Sequence, residues 1–419
     1  MRLGESFEKQ PERFAFAAAL LISLVVVVHG AVNVRPAVCQ GLGDCVKYTQ
    51  MARAFAQGTL GAAIDAPFNL RILAPWLASK ISPEVTSGFL WLNGISALVL
   101  VISWCGMARS LGFRNAELAV FIAWFFLHPL GFRFYFAIPE SVDPLFYGFI
   151  GTASFFFLAE QRAAFWITIL CALFVKESFV FVALIATAAE LIYAALRRDR
   201  RARGALLSAA AVVPVLVAYS IAKKVMRSHL FPQNQPWEIT ALSMIEYFAD
   251  EVRKDPNRLL VWVGAFICST GFFSILAIGR WKLVLAPLRV RQFSYLALGT
   301  MGFVLFGLVA GSDMSRIIFN GNVLIIPAFL FVSRYSGASA NTVLIVFSAS
   351  AVLAWNYMIY FPAAFEYEYY GSHHYTRTAY FVILTSLVAL ILRLLIYIQE
   401  KARKRRSGDS NRQVASARG

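Results

Sequence analysis

The chain has 419 residues, of which 59% are hydrophobic and only 15% are charged. Soluble domains carry about 25% charged residues, so the composition argues against a soluble enzyme and predicts an all-α, polytopic membrane protein. The net charge of +16 would suit a nucleic-acid partner, but the basic residues cluster beside apolar stretches, which is the positive-inside pattern of membrane proteins. The main basic clusters lie at 197–201, 280–291 and 401–406. We therefore expect membrane lipid, and no nucleic acid, around this protein.

About twelve apolar stretches, within a range of roughly 10 to 13, are long enough or nearly so to cross a hydrocarbon core of about 30 Å. The first stretch, 14–32, has no clear small-residue cleavage site, so we interpret it as a retained helix rather than a signal peptide. The later predicted spans include 87–107, 116–136, 205–222, 259–278, 293–310, 317–332, 341–361 and 379–398. Residues 1–400 are predicted to form one transmembrane domain, and 401–419 a basic, disordered cytoplasmic tail.

Residues 163–196 are too long for one span, since a single helix would measure about 50 Å. We expect two shorter helices that meet at an outer-side turn holding Lys176 and Glu177. This split keeps the later basic loops on the cytoplasmic side, together with both termini. The second outer loop, 223–258, contains an apolar-periodic run at 239–252 that predicts a short surface helix.

The first outer loop, 33–85, holds the most informative segment. It places Asp44 ahead of Tyr48, Met51, Ala52 and Phe55, whose spacing is that of one face of a helix. An amphipathic helix here could rest at the membrane surface. Asp44 has a structural alternative as the N-cap of that helix. Cys39 and Cys45 lie in the same loop, and whether they form a disulfide is left open.

Most acidic residues near span ends fall on the outer side of this topology. They are Asp44, Asp65, Glu140, Asp143, Glu177 and Asp313. Charges at membrane depth usually face a protein interior or a wet cavity and pair with one another. One polar cavity at the outer leaflet is therefore expected. The structural alternatives are an ion pair between Lys176 and Glu177, and a helix-end pair between Asp313 and Arg316 at i, i+3.

The order of motifs in the first loop resembles that of a known family. The residues are Asp44, Tyr48, Ala52 and Gly58, followed by Pro67, Phe68, Arg71, Leu73 and Pro75. This pattern is similar to the GT-C superfamily of integral-membrane glycosyltransferases, especially bacterial members that use polyprenyl-phosphate sugars. Lys176-Glu177 after a short span and Asp313-x-x-Arg316 near a late span match the family by layout.

The resemblance implies transfer of a sugar from a polyprenyl-phosphate donor to a glycan, lipid or protein acceptor at the outer face of the bacterial inner membrane. It implies that the first-loop acid is the general base, because such chemistry needs a carboxylate within reach of the acceptor proton. Asp44 is the first candidate and Asp65 its rival. The predicted phosphate ligands are Arg71, Lys176 and Arg316, and the predicted substrate contacts are Tyr48, Glu140, Asp143, Glu177 and Asp313.

No cofactor is required by this interpretation. No G-x-G-x-x-G or P-loop signature is present, and His373-His374 has no third ligand at convincing spacing, so no metal site is predicted. Whether a carboxylate-rich pocket holds a divalent metal is left open. Three other functions remain: a transporter or flippase of lipid-linked glycans without covalent chemistry, a polymerase or ligase of such glycans, and a non-catalytic assembly subunit.

Overall fold

The fold was analysed in a computed structural model, which describes residues 44–59, 64, 68–197, 202–225, 246, 249–250, 252–277, 290–309, 314–358, 379–398 and 401. Every regular element in those ranges is helical, and none of their residues lies in a strand. The predicted all-α class is thereby confirmed. The predictions for span 14–32, Asp65, Asp313, most of the 223–258 loop and the tail after 401 lie outside the described residues.

The helices follow one another with short connections. The first half contains α1 (Asp44–Gln57), α2 (Leu73–Ile81), α3 (Val85–Ser110), α4 (Asn115–Leu127), α5 (Phe132–Ala137), α6 (Asp143–Leu158), α7 (Arg162–Ala172) and α8 (Phe179–Arg197). The second half contains α9 (Ala202–Val225), α10 (Arg258–Thr270), α11 (Arg291–Val309), α12 (Met314–Asn320), α13 (Asn322–Tyr335), α14 (Ala340–Met358) and α15 (Ala379–Ile398). Single turns of 3-10 helix occur at Phe68–Leu70 and Phe273–Leu276.

The predicted helix in the first loop is confirmed as α1. Tyr48, Met51 and Ala52 are buried on one face, as their spacing predicted. Gly58 follows the helix with φ +68°, a left-handed conformation that glycine adopts without strain and that commonly ends helices. The apolar face of α1 packs into the protein core. This packing fixes the position of Asp44, the first residue of the helix.

The apolar core is built around the close pairing of α3 and α6. A Cβ atom on Gly151 of α6 would lie 2.8 Å from Leu100 Cδ1 of α3, and one on Gly148 would lie 3.3 Å from the Ser96 carbonyl oxygen. The absence of side chains at these glycines lets the two helices approach closely, as in membrane helix pairs. The N-terminal end of α6, which begins at Asp143, is thereby held against α3.

Two described helices, α3 and α15, are long and apolar enough to cross a membrane. Large apolar side chains on both are exposed, including Trp91, Ile102, Leu390 and Leu394. Shorter apolar segments of 10 to 17 residues lie in seven further helices, which are α4, α6, α7, α8, α10, α13 and α14. The two long helices, α3 and α15, support membrane association of the described part of the chain.

The predicted split of residues 163–196 is confirmed. Helix α7 ends at Ala172, helix α8 begins at Phe179, and Lys176 and Glu177 lie in the connection between them. The backbone N–H of Leu73, at the start of α2, donates to the carbonyl of Phe174 at 3.0 Å. This bond joins the connection to the segment that carries Arg71.

Three of the predicted spans do not form single continuous helices. Span 116–136 is interrupted because α4 ends at Leu127 and the chain folds back, so that a Cβ on Gly131 would lie 2.0 Å from the Phe125 carbonyl oxygen. Span 317–332 is divided at Gly321 into α12 and α13. Span 259–278 ends at Thr270, before Gly271 with φ +57°. Mean hydropathy over a window of residues does not detect a break at a single glycine. The predicted spans therefore joined helices that are separate in the structure.

A buried ion pair ties three helices together at the C-terminal end of α6. Arg291, at the start of α11, donates to Glu190 of α8 at 2.6 Å and to the Phe157 carbonyl of α6 at 2.9 Å. Its guanidinium also lies over the Phe157 ring, 4.2 Å from the centroid. Arg162 lines the same small cavity as Glu190 and Arg291. The charges on these residues are thus separated from Asp143 by the length of α6, about 24 Å.

Candidate functional site

Charged residues from distant parts of the sequence meet around the N-terminal ends of α1 and α6. Asp44 is the first residue of α1, and Asp143 is the first residue of α6. Both positions place a carboxylate in the first turn, where the helix dipole stabilises negative charge. Cys45, beside Asp44, is disulfide-bonded, whereas Cys39 lies outside the described residues. We call the ion-paired residues of this region, together with the tyrosine that is hydrogen-bonded to them, the charged cluster. Its members are Asp44, Tyr48, Arg71, Asp143, Lys176, Glu177 and Arg316.

Arg71 is held by a two-point contact with Glu177. Its Nε donates to Glu177 Oε2 at 2.9 Å and its Nη2 to Oε1 at 2.5 Å. The remaining Nη1 donates to the Tyr48 hydroxyl at 3.0 Å, and Phe68 lies under the guanidinium at 5.4 Å. Such bidentate pairs are geometrically specific. The contact explains how Arg71 and α1 are joined to the α7–α8 connection.

Asp143 and Lys176 form the buried centre of the cluster. Lys176 Nζ lies 2.6 Å from Asp143 Oδ1, and the Tyr135 hydroxyl donates to Oδ2 at 2.8 Å. The side chain of Lys176 is 12% exposed and that of Asp143 is 4% exposed. The suggested ion pair between the neighbours Lys176 and Glu177 was wrong. Each instead reaches a different partner, Asp143 in one case and Arg71 in the other.

Arg316 of α12 connects the centre to Asp44. Its Nη2 donates to Asp44 Oδ2 at 3.1 Å, and its Nε lies 3.6 Å from Asp143 Oδ2. The Asp44 side chain is 36% exposed and that of Arg316 is 28% exposed, in contrast to 4% for Asp143. The Asp44 carboxylate therefore contacts Arg316, one of the three cations predicted from the sequence to bind phosphate.

Sequence reasoning missed Asn320, which joins the cluster from the C-terminal end of α12. With its amide oriented to satisfy both ends, Asn320 accepts from Lys176 Nζ at 3.0 Å and donates to the Tyr147 hydroxyl at 2.9 Å and to the Arg316 carbonyl at 3.2 Å. It is 3% exposed. Its position four residues after Arg316 puts both on one helical face, which is the only signal in the sequence that could have found it.

Glu140 makes its hydrogen bond outside the charged cluster. The Thr86 hydroxyl donates to Glu140 Oε1 at 2.6 Å, while Oε2 is buried with no hydrogen-bond partner among the described residues. The described residues also contain no group of three or more His, Cys, Asp or Glu side chains placed to hold a metal ion. Of the predicted site residues, Asp65 and Asp313 lie outside the described ranges, and the other eight are placed by the structure.

The electrostatic environment favours the charged forms of Arg71 and Glu177. Burial alone would raise the pKa of Glu177, but the adjacent Arg71 charge and its hydrogen bonds lower it below the usual 4.5. Burial likewise opposes the charge on Arg71, yet Glu177 and Tyr48 raise the Arg71 pKa well above its ordinary value. Burial raises the pKa of Tyr48, so its hydroxyl keeps its proton. The pair therefore stays ionised at neutral pH.

This shift predicts a loss of stability in acid that depends on Glu177. Because the folded-state pKa is below 4.5, the contribution is complete above about pH 4.5 and is lost as the pH falls through the folded-state pKa. We expect it to be under about 1 kcal/mol, since a carboxylate that is 36% exposed is screened by water. Glu177→Gln should be less stable than wild type at pH 7, and the two unfolding curves should converge in acid.

The measurement is the thermal unfolding midpoint of the purified protein in micelles between pH 3 and 7. Glu246→Gln is the matched control, because Glu246 is exposed and its substitution should leave the wild-type pH profile intact. Parallel profiles for wild type and Glu177→Gln across the whole range would contradict the prediction.

The geometry defines a class of site: a half-exposed carboxylate next to an arginine, backed by a buried lysine–aspartate pair. Such a site can accept a proton from a hydroxyl at Asp44 and balance negative charge at Arg316. No protein-family model, curated protein or solved structure matches the chain.

Proposed function

We propose that this protein is a GT-C-type glycosyltransferase, which moves a sugar from a polyprenyl-phosphate donor to an acceptor hydroxyl. The observation that carries the proposal is the convergence of Asp44, Asp143, Lys176 and Arg316 from four separate places in the sequence. A partly exposed carboxylate beside a guanidinium provides both a proton acceptor and a countercharge for a leaving phosphate. Those are the two requirements of the transfer.

The separation of charges along α6 supports the proposed topology. Arg162 and Arg291, which the predicted topology assigns to the cytoplasmic side, meet Glu190 at the C-terminal end of α6. Residues assigned to the outer side meet at its N-terminal end. We infer a multi-span domain of about twelve helices in the bacterial inner membrane, with the charged cluster at the periplasmic face and the termini in the cytoplasm.

In this mechanism, Asp44 accepts the proton of the acceptor hydroxyl, which then attacks the anomeric carbon. The bond from that carbon to the phosphate oxygen breaks, and the electron pair leaves on the polyprenyl phosphate. Cationic groups of the cluster stabilise the developing charge, with arginine suited to the phosphate by its planar fork. Lys176 and Asp143 hold the inner end of the site in a fixed arrangement.

The test is reconstitution of the full-length protein in liposomes containing a polyprenyl-phosphate sugar labelled in the sugar. We expect label to appear in a covalent glycoside of an added membrane acceptor fraction, with release of polyprenyl phosphate. A liposome without protein and one containing heat-unfolded protein provide the blanks. Movement of the labelled lipid between leaflets without a new glycoside would instead establish the flippase alternative and reject the transferase.

A further inference from the structure

The three cations of the charged cluster differ in how firmly they are held. Arg71 uses Nε, Nη1 and Nη2 in contacts with Glu177 and Tyr48 and is 12% exposed. Lys176 is also 12% exposed and contacts Asp143 and Asn320. To reach Lys176, an anion would have to break a buried ion pair, which is costly. To reach Arg71, it would have to replace a two-point contact with Glu177 and a bond to Tyr48.

Arg316 differs from both in exposure and geometry. Its side chain is 28% exposed, and its contact at hydrogen-bond distance with a cluster carboxylate is to Asp44, which is itself 36% exposed. The distance to Asp143 is 3.6 Å, longer than a hydrogen bond, and Asp143 is already paired with Lys176. Ion pairs open to water contribute little to stability. Among the ion pairs described for the cluster, the Arg316–Asp44 contact is thus the one whose cation is most open to an incoming anion.

The charge balance of the described residues favours such an exchange of one anion for another. The cluster contains three carboxylates, Asp44, Asp143 and Glu177, and three cations, Arg71, Lys176 and Arg316. Counted over these described residues, the cluster is neutral before any ligand enters. A phosphate therefore has to compete with a carboxylate for its cation, and the competition is least costly at the exposed pair.

We propose that Arg316 is the ligand of the donor phosphate and that binding of the phosphate releases Asp44 from Arg316. This proposal rests on the proposed function, and it places donor binding before proton abstraction. Before the donor binds, the Asp44 carboxylate is occupied by its contact with the Arg316 guanidinium. After the donor binds, Asp44 is available to the acceptor hydroxyl. Proton abstraction is thereby confined to the complex that already holds the sugar donor.

Arg71 and Lys176 have positioning roles under this assignment. Arg71 fixes Glu177 and Tyr48, and hence the start of α1, relative to the α7–α8 connection. Lys176 fixes Asp143 and Asn320, and Asn320 in turn bonds the carbonyl of Arg316. The backbone of α12 is therefore held while the Arg316 side chain exchanges partners.

The experiment measures equilibrium binding of farnesyl phosphate, a short isoprenyl phosphate, to the full-length protein in micelles by calorimetry. Asp44→Asn removes the competing carboxylate charge, so more of the protein has Arg316 available and the apparent Kd should fall about fivefold or more. Arg316→Gln should raise the Kd at least about tenfold. Arg316→Lys keeps the charge without the planar fork and should give an intermediate Kd.

The matched control is Asp250→Asn, which removes the same charge from an exposed pair with Lys254 and should bind farnesyl phosphate as wild type does. Farnesol, which lacks the phosphate, should not distinguish Asp44→Asn from wild type. Tighter phosphate binding by Asp44→Asn, together with loss in the Arg316 variants, supports the exchange even in a protein that transfers no sugar. The failure of the transferase proposal can therefore be distinguished from the failure of this one.

An unchanged or weaker affinity in Asp44→Asn would overturn the exchange, since Asp44 would then not compete with the phosphate. Wild-type affinity in both Arg316 variants would place the phosphate elsewhere and would also overturn it. Absence of binding in wild type and in all variants would have the same consequence. Arg316→Lys preserves the test if Arg316→Gln does not fold.

Discussion

Asp44→Asn is expected to lower sugar-transfer turnover by about 10²- to 10⁴-fold, the range that loss of a general base produces. The reason lies in the different environments of the two central carboxylates. Asp143 is 4% exposed and saturated by Lys176 and Tyr135, whereas Asp44 is 36% exposed and contacts Arg316. An acceptor hydroxyl can therefore reach Asp44. The measurement is steady-state transfer from a polyprenyl-phosphate sugar by the purified variant in liposomes.

The variant should keep its fold, because Asn preserves the shape of the side chain and the Asp44–Arg316 pair is exposed. Its thermal midpoint should remain close to that of wild type, which separates loss of chemistry from loss of structure. Asp250→Asn is the matched control and should retain full turnover. Full turnover in Asp44→Asn with none in Asp65→Asn would move the base to Asp65. Full turnover in both would reject the transferase mechanism.

Local patterns predicted the parts of the fold that local forces determine. The spacing of Tyr48, Met51 and Ala52 correctly gave the buried face of α1, because one apolar stripe must face the core. The length argument correctly divided residues 163–196 at Lys176, since a bilayer limits helix length. The interruption at Gly131 was missed, as it depends on backbone packing against Phe125 rather than on hydropathy.

The members of the charged cluster were predicted better than their pairings. Acid and base positions follow from the ends of apolar segments, and seven predicted residues do meet. The pairings join residues up to 272 positions apart, and no spacing rule connects such positions. Asn320 has no charge and lies within an apolar stretch, so its spacing of four from Arg316 is a weak signal and its bonds to Lys176 and Tyr147 are what identify it. Burial, which the sequence does not report, is also what distinguishes Asp143 from Asp44.

Asp143→Asn should have the largest effect on stability of any single substitution in the cluster. It removes the charge that lies 2.6 Å from Lys176 and 3.6 Å from Arg316, leaving two like charges close together in a buried place. Breaking one side of a buried ion pair costs about 3–5 kcal/mol in comparable cases. We expect a correspondingly large drop in the thermal unfolding midpoint of the purified protein in micelles.

Removal of both charges should restore much of the loss, because a buried pair can often be replaced by uncharged residues at little cost. The double variant Asp143→Asn with Lys176→Met is therefore expected to be more stable than Asp143→Asn alone, although Asn320 loses its contact with Lys176 Nζ. The coupling between the two sites is obtained from the double-mutant cycle. A double variant as unstable as the sum of the single ones would mean that Lys176 and Asp143 act independently. The centre of the cluster would then depend on Tyr135 and Arg316 rather than on the lysine.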